Sequence, residues 1–63
     1  MNNQLEYVIG LTAFYPDGSN ETFTVEHTGV DSEVARYSVW HEFKAIGEKL
    51  GIYYVTTSVL QLA

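Results

Sequence analysis

Residues 5–15, LEYVIGLTAFY, place Leu5, Tyr7, Ile9, Leu11 and Ala13 on one side and Glu6, Val8, Gly10, Thr12 and Phe14 on the other. A period of two marks a strand, because successive side chains leave opposite faces. The next residues are PDGSN. Pro16 fixes φ, Asp17 offers a short-range acceptor and Gly18 tolerates positive φ, so a turn is predicted. ETFTVEH then alternates cleanly, with Phe23, Val25 and His27 opposed by Thr22, Thr24 and Glu26. The two strands read as an antiparallel hairpin.

The period changes after TGVDSE. Asp31 or Ser32 can cap the free N–H groups of a helix, and Asp31 and Glu33 suit its positive end. A helix is predicted over residues 32–50, stopping at Gly51. At about 100° per residue, Ala35, Val39, Phe43, Ile46 and Leu50 form one apolar stripe. Tyr37 and Trp40 fall off that stripe, on an edge shared with His41 and Lys44. The last segment, IYYVTTSVLQL, is β-branched and aromatic and reads as a strand. Strict alternation sets Ile52, Tyr54, Thr56, Ser58, Leu60 and Leu62 against Tyr53, Val55, Thr57, Val59 and Gln61, and both sets are partly apolar.

The expected fold class is α+β: strand, strand, helix, strand, with a three-stranded antiparallel sheet, one helix and a single domain over residues 1–63. One helix covers one sheet face, so apolar residues on the other face point to a homodimer. Size points the same way. A domain near this length buries only about 60% of the surface its unfolded chain exposes and often needs reinforcement. The 63 residues include no Cys, which removes disulfides and thiolate metal sites. His27 and His41 do not form a metal-ligand pattern with the acids around them, and no cofactor is expected.

Eight Asp or Glu against three Lys or Arg give a formal net charge of −5. Nucleic-acid binding needs a cationic surface, and Arg36, Lys44 and Lys49 are too few, so no direct nucleic-acid contact is expected. Acidity suits a basic partner, or solubility alone. No cationic leader with a cleavage site is evident, and no apolar run reaches the roughly 18 residues of a membrane span. A soluble intracellular protein is expected.

Ser38, His41 and Asp31 supply triad residue types, but no nucleophile elbow, phosphate-cradling loop or zinc-protease helix appears, so no enzyme is expected. His27 and His41 read as hydrogen-bonding surface residues. Glu21, Glu26, Asp31, Glu33 and Glu42 are either a solvated face with two capping residues or carboxylates placed where phosphates would enter a basic groove. Tyr37 and Trp40 are candidate binding anchors, because aromatics bury large areas with little rotamer entropy. Their alternative use is packing against a second copy or a loop.

Tyr7, the Asp17-Gly18 turn ten residues later, Glu26 and the HTG of residues 27–29 precede a helix with aromatics and an apolar last strand. This order resembles the small acidic phage inhibitors of uracil-DNA glycosylase of the phi29 group. The resemblance implies a homodimeric, non-catalytic DNA mimic acting in the host cytoplasm. Its helix aromatics would form a pocket at the dimer interface for the apolar side chain that the enzyme wedges into DNA, and acids around that pocket would stand in for phosphates. By this resemblance the partner-binding residues are Tyr37 and Trp40 for the pocket, with Glu26 and Glu42 for an acidic rim. The second strand is two residues longer than the family's, and the helix aromatics are three apart rather than four. Other readings are an acidic inhibitor of another host nucleic-acid-binding defence protein, such as a CRISPR effector, and a plain dimeric interaction module.

Overall fold

The computed structural model describes residues 4–62. Strand β1 (Leu5–Phe14) lies at the centre of a three-stranded sheet, with β2 (Asn20–Gly29) and β3 (Tyr53–Gln61) at its edges and antiparallel to it. Helix α1 (Ser32–Leu50) packs on one face. This is the α+β arrangement that the periodicities predict.

Local chemistry explains the hairpin. Tyr15 N–H donates to the Ser19 carbonyl at 2.9 Å, and Gly18 N–H donates to the Tyr15 carbonyl at 3.0 Å, with Gly18 at φ 91°. Asp17 Oδ1 accepts from the Ser19 N–H at 2.9 Å and from the Ser19 hydroxyl at 2.6 Å. These two bonds to the ionised form, the hydroxyl's first, hold the Asp17 carboxyl below the usual carboxylate range.

The helix is capped at both ends. Asp31 is extended at φ −153°, and its Oδ1 accepts from Val34 N–H at 2.9 Å, satisfying one of the free donors of the first turn. Gly51 is left-handed at φ 74° and closes the other end, where its own N–H and that of Ile52 (3.0 Å) both bond the Gly47 carbonyl.

The core is Tyr7, Ile9 and Leu11 of β1 against Ala35 and Val39 of α1, flanked by Phe23, Val25, Phe43, Tyr54 and Val59. Phe23, Phe43 and Tyr54 extend it as an aromatic cluster, with ring centroids 5.0 to 6.2 Å apart. The expected helix stripe changes in its second half. Gly47 is buried, whereas Ile46 and Leu50 are 46% and 61% exposed. The contact therefore follows the oblique row 35, 39, 43, 47 rather than the helix axis, as the inclined i±4 ridges of a helix allow.

The last strand also departs from strict alternation. Its pairing with β1 runs Gly10 opposite Ser58 and then Leu11 opposite Thr56, so Thr57 is an extra residue, a β-bulge. The bulge reverses the phase beyond it. Tyr54, Thr56, Val59 and Gln61 share the helix side, and Tyr53, Val55, Ser58 and Leu60 share the other. Gly10 lies against this stretch without a side chain, since a Cβ there would lie 2.5 Å from Ser58 Oγ and 2.9 Å from Thr57 Oγ1.

The sheet face away from α1 carries Val8, Phe14, Tyr53, Val55 and Leu60 along β1 and β3, with Phe14 and Tyr53 rings 6.2 Å apart. Along β2 it carries Thr22, Thr24, Glu26 and Thr28, and Thr22 Oγ1 hydrogen-bonds Thr12 Oγ1 at 3.1 Å. Arg36, Lys44 and Lys49 all belong to α1, so the strands contain no Lys or Arg.

Candidate functional site

Tyr37 and Trp40 are one turn apart, and their ring centroids lie 6.0 Å from each other. Tyr37 is 60% exposed and Trp40 half-buried, so the aromatic edge faces outward as its position on the helix requires. His41 lies 5.7 Å from Tyr37, ring centre to ring centre, and Lys44 Nζ lies 5.0 Å from the centre of the Trp40 ring. An ammonium at that distance is attracted by the ring's electron-rich face, which orders both side chains.

Trp40 also forms one wall of a cavity of about 290 Å³ between the second half of α1 and the start of β3. Ile52, Tyr53 and Tyr54 also line it, and Lys44 and Glu48 are its charged residues. Gly47 and Gly51 line it without side chains. Gly47 is required by the packing, because a Cβ there would run into the Ile52 carbonyl and come within 3.1 Å of the Tyr54 ring. The cavity is mainly apolar, open to solvent, and has two unlike charges for orientation, the usual composition of a binding site.

The expected acidic rim is not assembled around these aromatics within one chain. Glu26 pairs with Val8 on the face away from the helix. There it lines a shallow depression of about 200 Å³ with Glu6, His27 and Thr28. Glu42 is exposed on α1, but about 100° per residue carries it about 160° around the axis from Trp40. The carboxylate beside the aromatics is Glu48. Gly47, Glu48, Ile52, Tyr53 and Tyr54 were not singled out by periodicity, because the cavity forms only when β3 folds back along the helix. The one signal in the chain is a glycine seven residues after Trp40, placed to leave space on the same side of the helix.

The triad residue types are also apart. Asp31 is engaged at the N-cap by Val34 N–H, and it lies about 15 Å along the axis from His41 at 1.5 Å per residue. Glu33 is paired with Arg36 at 2.7 Å, which raises the Arg36 guanidinium above its usual value, chiefly through that hydrogen bond. Among the described residues no group of three or more His, Cys, Asp or Glu could hold a metal ion, and no helix is long and apolar enough to cross a membrane.

Comparisons with protein-family models, curated proteins and solved structures find no match to this chain.

Proposed function

We propose that this protein is a non-catalytic inhibitor that binds the basic DNA-binding cleft of a uracil-DNA glycosylase as a DNA mimic. The observation that carries the reading is the aromatic cavity beside Tyr37 and Trp40, open on a chain of net charge −5. An apolar side chain projecting from the partner would enter between Trp40 and Tyr54, gaining roughly 1.5–3 kcal/mol by leaving water. The acids, Glu26 and Glu6 on the cation-free sheet face and Glu42 and Glu48 on the helix, would speed encounter with a basic groove. Charge attraction between exposed groups weakens with salt, whereas the apolar contact persists. The glycosylase as target rests on the resemblance of the hairpin and helix pattern, and the cavity supports the mode of capture.

The test is uracil excision from DNA by a bacterial uracil-DNA glycosylase in the presence of the protein. Inhibition is expected, weakened about 30-fold by Trp40→Ala, the scale of a buried aromatic anchor of about 2 kcal/mol. Full excision in excess protein removes the glycosylase reading. Inhibition undiminished by Trp40→Ala removes the cavity from it.

A further inference from the structure

Strand β2 is an outer strand of ten residues, with no Lys, Arg or Pro and no shift in its register. Natural edge strands are usually blunted by such features, because a regular edge is a template for another strand. The other outer strand, β3, carries the bulge at Thr57.

The hydrogen-bonding direction along β2 follows from the bond that closes the hairpin, Tyr15 N–H to Ser19 carbonyl. Antiparallel pairs alternate between bonded and non-bonded. The pairs Ala13/Glu21, Leu11/Phe23, Ile9/Val25 and Tyr7/His27 are therefore the bonded ones. The backbone groups of Asn20, Thr22, Thr24, Glu26 and Thr28 consequently point away from the sheet. His27 Nδ1–H donates to the Thr28 carbonyl at 2.7 Å, which leaves that oxygen a second lone pair.

We propose that this edge pairs with the same edge of a second copy, antiparallel about a two-fold axis at Thr24. Thr24 then lies opposite the partner's Thr24, Thr22 opposite the partner's Glu26, and Asn20 opposite the partner's Thr28. This register engages all five outward residues, and sliding it by two residues in either direction leaves one unpaired. On the helix side it sets Phe23 beside the partner's Val25 and Glu21 beside the partner's His27, each twice by symmetry. An apolar match and a carboxylate–imidazole match therefore fall in the register that the backbone prefers, which is why a second copy is the fitting occupant. Both helices lie on one side of the resulting six-stranded sheet. The two open faces join into one surface without Lys or Arg, with Glu6 and Glu26 from each copy. The pairing extends the acidic-surface reading above, but its test involves no partner enzyme.

Light scattering on the chromatographed full chain is expected to give a dimer. Thr24→Pro removes an outward N–H without touching the ladder to β1, and is expected to give a folded monomer by circular dichroism. His27→Glu sets two carboxylates opposite each other across the seam and is expected to weaken the dimer about tenfold, while adding Glu21→Lys to it restores the dimer. A chain that stays monomeric at millimolar concentration overturns the pairing, as does a folded Thr24→Pro variant that remains dimeric. If Thr24→Pro does not fold, the charge exchange decides: His27→Glu without effect overturns the register, and loss with restoration by the added Glu21→Lys supports it.

Discussion

Gly47 shows how one missing side chain shapes both the packing and the cavity. In an exposed helix interior, Gly→Ala would add about 1 kcal/mol of stability through backbone entropy. Here the added methyl meets the Ile52 carbonyl and the Tyr54 ring. Backbone cannot yield as a flexible side chain can, so overpacking outweighs propensity. Gly47→Ala should lower unfolding stability by about 1–3 kcal/mol in urea titration. A stabilised variant would mean that Ile52 is not held against the helix. Asp17 gives a prediction in pH. Its folded-state value lies below the ordinary 3.8, because Ser19 bonds the ionised carboxylate. The unfolded chain then binds the proton more tightly, so the stabilisation is complete above that ordinary value and is lost as pH falls through the lower folded value. Asp17→Asn should therefore be less stable than the parent at neutral pH, and the gap should close on acidification below about pH 4. A gap independent of pH would remove the carboxylate from the turn's stability.

At the scale of elements, the bulge in β3 makes the sharpest test. Strict alternation would group Val59 with Tyr53 and Val55, and Leu60 with Tyr54. The register groups Val59 with Tyr54 on the core side and exposes Leu60 by 65%. Val59→Ala should therefore cost about 1 kcal/mol, whereas Leu60→Ala stays within about 0.5 kcal/mol. Equal losses in thermal unfolding would contradict the phase reversal. The hairpin and the helix ends could be read in advance because their causes are local: Asp17 and Ser19 are two residues apart, and Asp31 and Val34 three. The bulge could not, since it lies where Gly10 meets Thr57 and Ser58 in a pairing that brings together residues far apart in the chain. Half of the helix stripe failed for the same reason. Ala35 and Val39 were correctly placed, but which residue followed Phe43 depended on the angle at which the helix crosses the sheet.

At the scale of the whole molecule, few side chains do most of the burying. Among the described residues only Ile9, Leu11 and Val39 are large and fully buried, and Tyr37, Leu50, Tyr53 and Leu60 remain at least 60% exposed. If two copies share a sheet edge, unfolding is coupled to dissociation and the melting temperature depends on concentration. For a chain of this length the midpoint should rise by about 5 °C per tenfold increase in protein. The Thr24→Pro midpoint should not move. A constant midpoint for the parent would count against coupled dissociation.

Tyr37 and Trp40 could be assigned to one outward edge from spacing alone, because a helix sets the angle between neighbours without regard to the rest of the fold. The expected companions Glu26 and Glu42 could not be placed that way. One lies across the sheet and the other around the helix, and only the tertiary arrangement decides which distant groups share a surface. The chain's own pattern determined the order of elements, their caps and turns, and the sign of the charge, since these depend on adjacent residues. The return of β3 beside Gly47, the phase reversal at Thr57 and the cavity behind Trp40 were decided in three dimensions, where packing brings together residues that no local rule connects.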